Sequence, residues 1–171
     1  MFCAATASSS GTEALGGAVT QAITSGDVVV LNGVIGSGKT TFTKGFGRAM
    51  GIEDSITSPT FVLVRTYQGQ MPLHHVDVYR TEHLQEVVDL GLLEMIDEGG
   101  VALIEWGNLA APVLPRDYLE IRISMDENDE DRRNFVFLGV GGDWSVRETK
   151  LRELLDPWAV TLDGSSDGLQ Q

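Results

Sequence analysis

Basic residues are scarce in this chain: 12 lysines and arginines stand against 25 aspartates and glutamates, for a formal net charge of −13. A surface of that sign repels phosphate backbones, which disfavours tight direct binding of nucleic acid; any link to it should run through a partner. Cysteine is nearly absent, and the single Cys3 rules out an intramolecular disulfide and a cysteine-cluster metal site. No apolar run approaches the roughly 18 residues of a membrane helix. The first ten residues lack the basic and apolar segments of a secretory signal, so the expected location is cytoplasmic, away from membranes. Hydrophobic residues make up 42% of the 171, enough for one globular domain with a substantial core. Residues 1–11 read as a flexible tail, 12–158 as a single domain, and 159–171, rich in Gly, Ser, Asp and Gln, as a disordered tail.

What the chain does carry is Gly33-Val34-Ile35-Gly36-Ser37-Gly38-Lys39-Thr40. Glycine, four free positions, then Gly-Lys-Thr is the P-loop pattern, whose backbone N–H groups cradle nucleotide phosphates. Residues 27–32 before it read as a buried strand. After it Phe42, Phe46, Ala49 and Met50 share one helical face that ends at Gly51. Strand, glycine loop and helix in that order put the helix N-terminus against the anion. Gly33, Ile35, Gly36, Ser37, Gly38 and Thr41 would surround the phosphates, with Lys39 reaching the β- and γ-phosphates. Thr40 would ligate Mg²⁺ through its hydroxyl.

The remaining pattern is that of a three-layer α/β domain. Thr12 could cap a helix to about Thr24, with Leu15, Val19, Ala22 and Ile23 inward. Residues 61–67 and 73–79 alternate about Gln68-Gly69-Gln70, which predicts an antiparallel hairpin. Residues 81–96 have helical periodicity, weakened near the middle by Gly91. Residues 101–106 read as a short buried strand, and 118–125 and 135–140 as strands about an acidic turn at 126–131. Residues 144–155 read as a closing amphipathic helix. The expected architecture is a P-loop NTPase fold, a mixed sheet with a parallel centre and an antiparallel extension, flanked by helices.

Hydrolysis or transfer needs an acid for the metal and groups that sense the γ-phosphate. Glu105 follows four apolar strand residues and is the best candidate for a second Mg²⁺ ligand beside Thr40. Along residues 75–80, strand alternation puts His75, Asp77 and Tyr79 on one face. That face is either a site wall, with Asp77 near the metal's water shell or orienting the attacking water, or a sheet face open to solvent. Thr60, in the Thr57-Ser58-Pro59-Thr60 loop, stands where nucleotide-switch proteins place a γ-phosphate sensor. Trp106 reads as a core residue in preference to a nucleotide platform, since large aromatics usually pack.

Together, Gly33 to Thr41, Ser58-Pro59-Thr60-Phe61, His75-x-Asp77-x-Tyr79-Arg80, Glu105-Trp106 and Leu114-Pro115 resemble, in order and spacing, the TsaE family. These are small bacterial P-loop ATPases of tRNA threonylcarbamoyladenosine synthesis, and the likeness runs from about Thr12 to about Phe135. The resemblance implies ATP as cofactor, bound with Mg²⁺ and hydrolysed to ADP within a complex with TsaB and TsaD. That pair modifies adenosine 37 of tRNA, so tRNA is met only through these partners. It also implies that Thr40 and Glu105 ligate Mg²⁺, that Asp77 is needed for hydrolysis, and that Thr12 and Arg132 contact nucleotide. Val34 departs from the aspartate usual at the loop's second position, and Gly107-Asn108 from the Pro-Glu that often follows the tryptophan.

Two other classes compete. A small-molecule kinase of the P-loop kind needs a lid carrying several arginines, and no arginine-rich segment is present. A guanine-nucleotide switch would carry Asn-Lys-x-Asp, which is absent, so ATP is favoured over GTP.

Overall fold

The computed structural model describes residues 1–59, 63–79, 84–106, 112 and 114–161. Among the described residues eight strands form one sheet in the order β3-β4-β5-β2-β6-β7-β1-β8. They are β1 (Phe2–Thr6), β2 (Val28–Asn32), β3 (Val64–Gln68), β4 (Pro72–Asp77), β5 (Val101–Glu105), β6 (Tyr118–Met125), β7 (Arg133–Val140) and β8 (Ala159–Val160). The central four, β4-β5-β2-β6, run parallel, and every other pairing is antiparallel. The apolar runs fall where both faces are covered: Val28 to Leu31 and all of β5 are buried.

Helices α1 (Ser9–Val19), α2 (Lys39–Ala49) and α5 (Gly142–Leu155) cover one face; α3 (Leu84–Asp89) and α4 (Leu92–Asp97) lie on the other. The larger core joins Leu15, Val19, Phe42, Phe46, Phe135, Phe137, Trp144 and Leu151 to alternate residues of the central strands. The smaller one gathers Val28, Val30, Val76, Val78, Ala102 and Ile104 beneath Val87, Leu92 and Ile96. Period-2 alternation in the strands meets 3.6-period stripes in the helices, giving the three layers expected.

Several local expectations need correction. Residues 2–6 are not a tail: β1 pairs with β7 from Phe2↔Phe137 to Thr6↔Arg133 and buries Ala4. Its short alternation has no turn signal before it, so position alone made it look like a terminus. Ala159 and Val160 likewise pair with β1; residues 162–171 lie outside the described residues. Helix α1 begins at Ser9, capped by Ser8, whose Oγ accepts the Gly11 N–H at 3.1 Å; Thr12 is therefore inside the helix and buried. The helix expected over 81–96 is two, because Gly91 takes φ 65° and caps α4 in the left-handed region. Residues 81–83 lie outside the described residues. Ala49, placed on the inner face of α2, is exposed.

Candidate nucleotide-binding site

Parallel strands that share a direction also share a ligand-binding end, beyond their carboxyl termini. Here β2 runs into the glycine loop at Gly33, while β4 ends at Asp77 and β5 at Glu105. Register holds these ends level: Asp77 lies opposite Glu105, and Glu105 opposite Leu31. The loop then turns through Gly36 and Gly38, whose φ of 81° and 107° only glycine adopts without strain, and starts α2 at Lys39. The N-terminus of α2 is thus aimed over the ends of β4 and β5.

A cavity of about 370 Å³ lies at this junction. Ile35, Gly36, Gly38, Lys39, Thr40 and Thr41 line it from the loop and α2; Ser58, Asp77, Tyr79, Glu105 and Trp106 line the opposite wall. Thr40 Oγ1 donates to Glu105 Oε1 at 3.1 Å. Asp77 is held at both oxygens: Oδ2 accepts from Ser58 Oγ at 2.7 Å and Oδ1 from the Tyr79 N–H at 3.0 Å. Lys39 Nζ donates to the carbonyls of Gly33 at 2.7 Å and Val34 at 3.1 Å, and sits 4.0 Å from the centre of the Trp106 ring. Burial lowers the pKa of Lys39, and the Glu105 and Asp77 carboxylates act against that shift.

Of the face shared by His75, Asp77 and Tyr79, the solvent-open alternative holds only at Tyr79, which is 43% exposed; His75 and Asp77 are 0% and 2% exposed. Trp106 is core in part: half-buried, it packs against the smaller core. It also takes φ 65° just past β5, lies 4.6 Å from the Tyr79 ring at a tilt of 37°, and forms part of the cavity wall. A left-handed tryptophan is a strained conformer of the kind that clusters at functional sites.

The other expected residues divide. Ser37 is fully buried behind the loop, and Gly33 supplies a carbonyl to Lys39. Thr12 lies in an adjoining recess of about 70 Å³, whose walls include Gly36, Gly38 and Thr41. Arg133 lines that recess, and Arg132 does not. Arg132 turns to the far side of the strand, beside Trp158, with its Nε 3.3 Å from Asp126 Oδ2. Alternation held the answer: Arg133 has the parity of the core residues Phe135 and Phe137, so it points to the α1–α2 side. Thr60 lies outside the described residues, while Ser58, two positions earlier, reaches Asp77.

The donor set fits magnesium. Among the described residues no group of three or more His, Cys, Asp or Glu could hold a metal ion by itself. Magnesium typically takes one or two protein oxygens and completes its shell with water and substrate phosphates. The Thr40 hydroxyl and Glu105 carboxylate are such oxygens, beside the glycine loop. Among the described residues no helix is long and apolar enough to cross a membrane.

Comparison with known proteins agrees with this geometry. The family model for threonylcarbamoyl adenosine biosynthesis protein TsaE matches residues 6–135. The tRNA threonylcarbamoyladenosine biosynthesis protein TsaE of Bacillus subtilis is 44% identical over 122 residues, 71% of this chain and 75% of that protein. Its counterpart from Streptomyces coelicolor is 34% identical over 143 residues, 80% of this chain and 96% of that one. The crystal structure of Bacillus subtilis YdiB superposes with a TM-score of 0.73 at 32% identity, covering 88% of this chain and 93% of that one. With a phosphate loop, level strand-end acids and these relatives in agreement, the chain belongs to the TsaE family.

Proposed function

We propose that this chain is a magnesium-dependent ATP hydrolase that supports N6-threonylcarbamoylation of adenosine 37 in tRNA. It would hydrolyse ATP to ADP within a complex with TsaB and TsaD. The observation that carries the reading is the meeting of Lys39, Thr40, Asp77 and Glu105 around one cavity at the mouth of the glycine loop. The relatives are named for tRNA threonylcarbamoyladenosine biosynthesis, which supports the pathway. The net charge of −13 agrees with leaving tRNA contact to partners.

In this reading the loop N–H groups and Lys39 bind the phosphates, Lys39 exchanging the Gly33 and Val34 carbonyls for phosphate oxygens. Thr40 and Glu105 would hold the metal, which would supply positive charge to offset the negative charge of the reacting phosphates. Asp77, clamped by Ser58 and the Tyr79 N–H, is left to orient the attacking water. Thr12 and Arg133, which line the recess off the glycine loop, would meet the nucleoside end of the nucleotide.

The test is hydrolysis of ATP and of GTP, each with and without TsaB and TsaD. Strong stimulation of ATP hydrolysis by the partners is expected. Asp77→Asn should keep ATP affinity while hydrolysis falls by roughly 100-fold or more. Partner-independent phosphoryl transfer to a nucleoside or sugar would overturn the reading, as would wild-type turnover in Asp77→Asn.

A further inference from the structure

His75 does something that the magnesium reading leaves unused. Alternation along β4 puts it on the face of Leu73 and Asp77, beneath α2, where it is 0% exposed. An imidazole is an awkward core residue, because it brings two polar nitrogens where a leucine would bring none. Only one is satisfied. His75 Nε2 lies 2.9 Å from Glu105 Oε1, whereas Nδ1 is buried with no hydrogen-bond partner among the described residues.

That asymmetry assigns the tautomer. A proton on Nδ1 would be a buried donor without an acceptor, and would leave the bare Nε2 lone pair facing a carboxylate oxygen. A proton on Nε2 makes a hydrogen bond to Glu105 and leaves only a weakly demanding lone pair at Nδ1. Glu105 Oε1 then accepts from two sides, from His75 Nε2 and from Thr40 Oγ1 at 3.1 Å. A glutamate's terminal torsion is broad and roughly two-fold when nothing restrains it. Two donors converging on one oxygen from different elements, β4 and α2, fix that torsion.

We propose that His75 is a positioning residue: by donating Nε2–H to Glu105 Oε1 it locks the carboxylate beside Thr40, so that Oε2 is the oxygen offered to the cation. The inference rests on the magnesium reading given above. The Thr40 hydroxyl spends its proton on Glu105 and keeps its own lone pairs for the same cation. His75 thus organises both protein ligands while touching neither metal nor nucleotide. It stands to Glu105 as an outer-shell partner does to a metal ligand, a relation whose loss typically costs 10- to 100-fold in metal affinity.

The experiment is calorimetric titration with ADP, in Mg²⁺ and in EDTA, on the wild-type chain and on His75→Leu and His75→Gln. The readout is the ratio of the two affinities. The wild type should show a gain from Mg²⁺. His75→Leu, similar in bulk and without a donor, should lose about tenfold or more of that gain. His75→Gln, whose amide nitrogen reaches the place of Nε2, should recover most of it. An undiminished ratio in His75→Leu, or no recovery in His75→Gln, would overturn the inference and leave the magnesium reading standing. A wild-type ratio of one would overturn the magnesium reading itself. Nitrogen NMR of the wild-type imidazole is the check that needs no variant. Proton-bearing Nε2 with bare Nδ1 is the expected spectrum, and the opposite tautomer sinks the proposal even if His75→Leu fails to fold.

Discussion

Arg132 and Arg133 are adjacent in sequence and opposite in space. Arg133 donates through Nη1 to the carbonyls of Glu130 and Arg132, at 2.5 and 2.9 Å, and borders the recess that opens off the glycine loop. Arg132 leans outward to Asp126. A charge-assisted hydrogen bond contributes roughly 1.5–3 kcal/mol, so Arg133→Ala should weaken ADP binding about tenfold or more. Arg132→Ala should leave it within error. Calorimetry on the two variants decides which arginine serves the nucleotide, and equal losses would refute the assignment. At this scale the glycine loop, Asp77 and Glu105 were legible, because a motif and an alternation pattern carry them. The choice of Arg133 was legible only to a reader who already knew where β7 begins, and Ser58's bond to Asp77 depends on a fold-back that no local pattern encodes.

Helices α1 and α2 meet almost backbone to backbone. A Cβ at Gly45 would lie 1.9 Å from the Glu13 carbonyl oxygen, and one at Gly16 would lie 2.3 Å from that of Phe42. This closeness brings Thr12, on α1, against the loop that α2 opens. Gly45→Ala forces the helices apart and should cost roughly 1–3 kcal/mol of stability. It should also weaken ADP binding, since the recess is shared between the two helices. Gly17→Ala is the control: its Cβ would meet Ala49 Cβ and the Gly45 carbonyl oxygen at an ordinary 3.4 Å. Replacing a helical glycine there should be neutral or stabilising, by up to about 1 kcal/mol. Urea melts of both variants test this, and a Gly45→Ala protein as stable as wild type would refute it. Elements were read well where periodicity was long, as in β6, expected and observed over the same residues. They were read poorly where one residue's backbone decided the matter, as at Gly91, whose left-handed φ ends one helix and starts another.

Among the described residues the sheet joins the first strand to the last, β1 lying between β7 and β8. His74, three residues before Asp77 in β4, reports on the integrity of that assembly. It is 7% exposed, with Nδ1 3.0 Å from Thr66 Oγ1. Burial holds its pKa below the ordinary 6.5, with the Met95 carbonyl and the Glu98 carboxylate pulling partly the other way. Between the lowered value and 6.5 the unfolded chain binds a proton that the folded chain refuses. This contribution to stability is therefore complete above 6.5, falls with pH through that window, and levels off below the folded value. The urea midpoint should drop between about pH 7.5 and about pH 5.5, and His74→Gln should shrink that drop. An unchanged drop in the variant would show that other groups carry it.

The sequence by itself determined that this chain has a P-loop motif between a strand and a helix, acids at two strand ends, and a net charge of −13. These are properties of spacing and composition, which survive without coordinates. Only the tertiary structure decided that residues 2–6 are a strand, that Arg133 faces the site, and that His75 bonds Glu105. Each of these depends on pairing between segments far apart in the chain, and a periodicity shows which side of an element is apolar without showing what lies against it.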